Sequence, residues 1–199
     1  EQLRPYLHHR ITGRPFVILK LASTLDGRTA AVDGSSQWIT GDEARTAAHQ
    51  LRAESDAIVV GSGTVRRDNP TLTTRLVDGP SPRRVVLGKA PEQANVHPCL
   101  EWDKSICELL DTLGNEGVLQ LMVEGGATVA SSFHQQNLVD RYVLYVAPAF
   151  MGGNDGAPLF NGESAPSMQQ LWRGTLRNVR QLESDIEVTI DNPRINEEK

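Results

Sequence analysis

The sequence predicts an α/β fold: a single domain built on a twisted, mostly parallel sheet flanked by helices and closed by a C-terminal antiparallel hairpin. Three observations predict it. Short apolar runs alternate along the chain with amphipathic stretches of helical period, the order expected of a parallel sheet with crossover helices. The final segment, 175–191, breaks that order: two alternating polar/apolar pieces follow each other directly around Ser184-Asp185. The chain of 199 residues, 39% hydrophobic and 23% charged, suffices for one sizeable core and shows no internal repeat or low-complexity tract.

Composition also removes function classes. A net charge of −5 carries no basic footprint for nucleic acid. No run approaches the ~18 apolar residues of a membrane span. Glu1-Gln2-Leu3-Arg4-Pro5 does not read as a signal peptide, so the expected location is the cytoplasm. Cys99 and Cys107 form no C-x-x-C pair, and His8, His9, His49, His97 and His134 fall at no zinc-ligand spacing, so no metal site is expected.

Residues 1–15 are polar, with Pro5, Pro15 and a basic patch (His8, His9, Arg10, Arg14), and read as an arm or the tail of a linker. Residues 16–22 follow as a buried strand in which Lys20 is the odd member, either snorkelling to the sheet end or lining a polar pocket. Asp26-Gly27 marks a turn, and the loop 33–39 sets Trp38 among hydroxyl groups. Thr40 and Glu43 read as a capping box for a helix near 41–54, whose stripe is Ala44, Ala47, Ala48 and Leu51. Arg52 lies beside that stripe, where a cation suits the helix C-terminus.

A second apolar strand, 56–60, opens into Gly61-Ser62-Gly63. The third glycine of a dinucleotide fingerprint is replaced by Arg66, and no acidic residue ends a strand about 20 residues on, which excludes a Rossmann site but leaves a backbone phosphate or ribose site open. Arg66 and Arg67, in a charged loop stopped by Pro70, either meet a phosphate or are solvated. Residues 84–87 are a short strand, 88–103 carry little pattern, and Ile106, Leu109, Leu110 and Leu113 mark a helix near 104–115.

The strand 118–123 then ends in Glu124-Gly125-Gly126, followed by a helix of small residues near 126–136. The glycines permit positive φ and close approach of a ligand. The unpaired amides of the helix start suit a phosphate, which leaves the Glu124 carboxylate to face a substrate instead; a ligand-free turn is the equal alternative on this stretch alone. A strand at 140–148 and a turn-rich exit at 150–154 precede the hairpin.

Four motifs in order, Leu19 through Arg28, Ser36-Gln37-Trp38-Ile39-Thr40, Asp68-Asn69-Pro70-Thr71-Leu72-Thr73 and Val123-Glu124-Gly125-Gly126-Ala127, resemble the reductase domain of the riboflavin-biosynthesis deaminase/reductase of RibD type. The resemblance implies a dihydrofolate-reductase-like fold, usually homodimeric. It implies NADPH-dependent reduction of the ribosyl side chain of 5-amino-6-(5-phosphoribosylamino)uracil to the ribityl product, by hydride transfer to ribose C1′, with no metal. It further implies a division into 1–15 as an arm from an N-terminal zinc deaminase domain, 16–191 as the reductase and 192–199 as a tail. The deaminase signature, H-x-E followed by P-C-x-x-C, is absent from this sequence, so no deaminase activity is expected of the chain.

Carried over by position, the resemblance implies cofactor contacts at Ala22, Trp38, Thr64, Asp68 and Lys89, and a pyrophosphate seat over Gly126, Ala127, Thr128, Val129, Ala130, Ser131 and Ser132. It implies substrate contacts at Lys20, Ser36, Arg52, Leu72, Arg75 and Glu124, with Lys20, Asp68 and Glu124 as the catalytic set. Two departures stand out: Gly88-Lys89 occupies the place of the family's usual Asp, and 89–103 is short, with no visible strand. The rival expectations are a dihydrofolate reductase and a non-catalytic NADPH-binding module.

Overall fold

The protein is described here by a computed structural model covering residues 3–196; the end of the expected 192–199 tail lies outside the described residues. In chain order the elements are α1 (Arg4–Thr12), β1 (Phe16–Thr24), β2 (Arg28–Ala30), α2 (Asp42–Ala53), β3 (Ala57–Gly61), α3 (Ser62–Asp68), β4 (Arg83–Leu87), β5 (Leu100–Trp102), α4 (Ile106–Asn115), β6 (Gln120–Val123), α5 (Ala127–Gln135), β7 (Arg141–Ala147), β8 (Ala157–Pro158), β9 (Thr175–Leu182) and β10 (Asp185–Asp191). The main sheet runs β5-β4-β3-β6-β1-β7-β10-β9. It is parallel from β5 to β7, and the terminal hairpin adds the antiparallel edge. A small sheet of β2 and β8 lies apart from it.

The period-2 geometry of β1 decides what faces what. Val17, Leu19 and Leu21 join the cluster made with Leu109, Leu110 and Leu113 of α4 and Ala130 and Phe133 of α5. Phe16 and Ile18 face the other way, onto Ala44 and Ala48 of α2. Lys20 therefore emerges on the α2 side. β6 splits likewise, with Leu121 and Val123 in the first cluster and Met122 packed with Ile58 and Val60 of β3. The parallel β1–β6 register, Phe16 with Gln120 through Leu19 with Val123, carries on to set Lys20 beside Glu124.

Four local expectations change. Within the expected arm, where no element was assigned, Arg4–Thr12 form α1, ended by Gly13 in the left-handed conformation (φ 72°). It docks through His9 Nε2 and Gly114 O (2.9 Å) and the Arg14–Asp111 ion pair (2.6 Å), contacts that a polar sequence does not announce. The Gly61 turn and the charged residues after it are helical, as α3, because Asn69 supplies a left-handed C-cap (φ 40°) before Pro70. A short edge strand, β5, does exist within 89–103, paired with Val85–Leu87. The Thr40/Glu43 capping box is not formed. α2 starts one residue later, with Gly41 at the N-cap and its amide donating to Asp185 Oδ2 (2.6 Å). A full capping box caps α4 instead, through Ser105 and Glu108.

Candidate active site

The functional side chains gather at the carboxyl ends of the parallel strands, the edge where open α/β sheets bind ligands. Glu124 follows β6, and its amide still donates to Val59 O of β3 (2.9 Å), so the backbone under the carboxylate is held as strand. Arg52, near the end of α2, donates to it twice: Nε to Oε2 at 2.9 Å and Nη2 to Oε1 at 2.8 Å. Lys20 Nζ donates to Oε1 at 3.2 Å. The three side chains are only 15%, 12% and 17% exposed for Lys20, Arg52 and Glu124. Burial pushes the Glu124 carboxyl up, but the charges of Lys20 and Arg52 and their hydrogen bonds outweigh it and bring the pKa down to about 2. Glu124 is thus a fixed anion at any physiological pH. Lys20 turns to Glu124 rather than snorkelling to solvent, and Arg52 is bound to the same carboxylate as well as lying near the C-terminus of α2.

A loop closes this cluster from the side. Leu72 takes φ 54°, a conformation a leucine adopts at a cost, and its side chain is buried with Ile58, Val60 and Val65. Of Leu72, the site is therefore offered backbone rather than side chain. Three residues on, Arg75 donates its amide to His49 Nδ1 (3.0 Å), and its guanidinium reaches Thr71 Oγ1. His49, one helical turn before Arg52, is buried. Desolvation, then the charges of Arg52 and Arg75, lower its pKa to about 4, against the opposing pull of Glu124. Sequence reasoning assigned His49 no role. Its only signal was the i, i+3 spacing to Arg52.

On the other side of Glu124 lies the start of α5. Neither Gly125 nor Gly126 has positive φ, contrary to expectation: Gly126 sits at the N-cap with φ −71° and ψ 177°. Gly125 is needed for packing, because a Cβ there would lie 2.5 Å from Val129 Cβ, and a Cβ on Gly61 would lie 2.8 Å from Val129 Cγ2. The helix is thereby pressed onto the ends of β3 and β6. Its first amides have no side-chain cap, and a Cβ on Gly126 would have only Thr64 Oγ1 within 4 Å, at 3.9 Å. Open, uncapped amides beside a threonine fit a pyrophosphate.

The remaining expected cofactor residues lie on several elements. Thr64 faces Gly126, and Thr128 Oγ1 accepts from Asn161 Nδ2 (3.1 Å). Val129 and Ala130 turn their side chains to the core, Ser131 Oγ accepts from the Asn161 amide (2.7 Å), Ser132 Oγ donates to Thr128 O, and the Ala130 amide already donates to Gly126 O, so the open amides of α5 are those before Ala130. Ala22 continues the Lys20 face of β1 against the α2 cluster. Trp38 is 68% exposed and stacks over the Arg45 guanidinium at 4.6 Å, on the loop that also carries Ser36. Asp68, at the end of α3, and Lys89, just past β4, are exposed, and no contact joins either of them to the Lys20–Glu124–Arg52 cluster. Among the described residues no group of acidic, histidine and cysteine side chains has the makings of a metal site, and no helix is long and apolar enough to cross a membrane.

Comparison with known proteins identifies the family and the fold. Residues 15–188 match the family model described as RibD C-terminal domain. The riboflavin biosynthesis protein RibD of Bacillus amyloliquefaciens is 36% identical over an alignment covering 95% of this chain and 60% of that protein. The structure of RibD from Acinetobacter baumannii (form 1) superposes with a TM-score of 0.87 at 32% identity, over 95% of this chain and 61% of that one. The diaminohydroxyphosphoribosylaminopyrimidine deaminase/5-amino-6-(5-phosphoribosylamino)uracil reductase of Thermotoga maritima gives 0.82 at 30% identity, over 94% and 59%. The chain thus spans about three fifths of the length of these relatives.

Proposed function

This chain belongs to the RibD C-terminal domain family, and from that premise we propose that it is the NADPH-dependent reductase that converts 5-amino-6-(5-phosphoribosylamino)uracil to its ribitylamino product. The observation that supports the reading most is the Lys20–Glu124–Arg52 cluster, set between an anion seat at α5 and the loop of Leu72 and Arg75. Three cations against one carboxylate leave a net positive pocket, the complement of a sugar phosphate.

The residues divide the work by chemistry. Glu124, with its pKa near 2, neither gives nor takes a proton at neutral pH. Oε1 is engaged by Arg52 and Lys20, whereas Oε2 accepts from Arg52 Nε alone and keeps an acceptor direction for an N–H of the aminouracil. Arg75, with Arg52, takes the 5-phosphate. Ring opening of the ribosylamine moves a proton from the exocyclic nitrogen to the sugar oxygen. C1′ then accepts hydride, and the nitrogen regains a proton. Lys20 is the ammonium that assists proton transfer at that point, with Asp68, exposed at the end of α3, as the alternative. NADPH, when bound, supplies the hydride. Gly126, Ala127 and Thr128 would hold its pyrophosphate, and Ala22, Trp38, Thr64 and Asp68 would be its further contacts. A cytoplasmic homodimer, with a zinc deaminase domain preceding the arm, is the setting this reading carries with it.

The test is NADPH oxidation by the purified chain with the aminouracil phosphate, with dihydrofolate, and with NADH as the alternative reductant. The expected result is turnover with the first substrate and NADPH. Equal rates with dihydrofolate would establish the rival reductase, and tight NADPH binding without oxidation would establish a non-catalytic module.

A further inference from the structure

Arg52 sits on α2 and Arg75 on the loop after α3, yet a common phosphate requires both to aim at one point. One residue touches both. His49 Nδ1 accepts the Arg75 amide at 3.0 Å, and its Nε2 lies 3.3 Å from Arg52 Nη1. A ring nitrogen that accepts an N–H carries no proton, so the neutral ring bears its hydrogen on Nε2. The approach to Arg52 is then donor against donor, a steric stop rather than a hydrogen bond. Arg52 spends Nη1 on Thr73 O (3.4 Å) and Nε and Nη2 on Glu124, so loop, histidine and carboxylate together fix the guanidinium.

We infer that His49 is a positioning residue for substrate phosphate recognition: its Nδ1 pins the Arg75 backbone to α2, and its ring edge sets the place of Arg52. The inference rests on the reading of Arg52 and Arg75 as the phosphate pair. Two further observations support it. His49 is buried, so it acts from behind the arginines. A protonated ring would lose the Nδ1 acceptor and add a charge against Arg52, Arg75 and Lys20, with Glu124 the single opposing group; burial and those cations hold it neutral, with a pKa of about 4.

The test uses two variants and ribose 5-phosphate as the probe, measured by titration calorimetry on the whole chain. His49→Asn keeps an acceptor near the Nδ1 position, whereas His49→Leu fills the space without one. His49→Leu is expected to weaken ribose 5-phosphate binding about tenfold, the order of one lost hydrogen bond. His49→Asn is expected to recover most of that, and NADPH affinity to stay within about twofold in both. In turnover, the Leu variant raises KM for the phosphorylated substrate and leaves KM for the phosphate-free nucleoside unchanged. Equal phosphate binding by wild type and His49→Leu, or an Asn variant as weak as the Leu variant, overturns the inference. Should the Leu variant not fold, amide exchange in the wild-type chain decides: an Arg75 amide exchanging as fast as in a free peptide refutes the pinning bond. A wild-type chain that binds ribose 5-phosphate but oxidises no NADPH with the aminouracil refutes the reductase reading, while the His49 comparison still decides this one. One that binds no ribose 5-phosphate removes the phosphate pair and this inference with it.

Discussion

Replacing Glu124 by glutamine keeps shape and removes one charge, and the geometry fixes the consequence. Two cations, Lys20 and Arg52, then face each other with no anion between them, each at least 85% shielded from water. Removing one partner of a buried ion pair costs about 3–5 kcal/mol. The residual exposure and the amide oxygen left in place put this case at the low end, about 3 kcal/mol, which for a domain of this size lowers Tm by about 6–12 °C. The pH dependence supplies a second check. A carboxylate with a folded pKa of about 2 contributes its stability fully above the unfolded value near 4.5 and loses it as pH falls toward 2. Scanning calorimetry of both proteins from pH 8 to pH 3 should therefore show a constant gap down to about pH 4.5 that narrows below it. In parallel, turnover should fall by two orders of magnitude with NADPH affinity unchanged. A gap under about 2 °C, or one that widens in acid, would show that Glu124 is not held by its two cations as described.

Further outcomes follow from other contacts. Gly125→Ala puts a methyl 2.5 Å from Val129 Cβ, so it should lift α5, cost about 1–3 kcal/mol and weaken NADPH binding, with Val129→Ala in the same chain restoring only a minor part of the loss because it keeps the nearest atom; calorimetry reads both. Leu72→Ala removes a buried anchor from a residue at φ 54°, and should cost about 2–4 kcal/mol in denaturant unfolding while raising KM for substrate more than for NADPH. His49 is held neutral, so the unfolded chain takes up its proton first: wild-type stability should decline as pH drops from 6.5 to about 4, a component that His49→Asn abolishes in pH-dependent urea melts.

What the sequence disclosed and what it withheld follow a physical line. The sheet was legible because apolar runs such as 16–22 and 118–123 are local signals, and the hairpin because its alternation is local too. Lys20 was visible as an anomaly, but its partner comes from a register between strands 104 residues apart, which no local pattern encodes; only the family resemblance pointed to it. α3 was missed because Arg66 and Arg67 in its last turn hide a seven-residue helix that buries Val65 alone. β5 is three residues long, and none of them is buried. α1 has no apolar stripe, since Leu7 and Ile11 are exposed and only His8 is buried, and it depends on docking to α4, which is tertiary context. His49 needed the loop of Arg75 to close before its ring had anything to hold.

The β1 alternation that puts Lys20 and Ala22 on one face and Leu19 and Leu21 on the other has a consequence for how this protein fails. A strand shifted by one residue turns every side chain over. It would bury the ammonium among the leucines of α4 and strip the pocket of its lysine at the same step. The chemistry and the core are thus written in the same phase, so a misregistered molecule is an unfolded one rather than a sluggish one. Damage to the leucine face of β1, at Leu19 or Leu21, should appear as fewer competent molecules, each working at the normal rate.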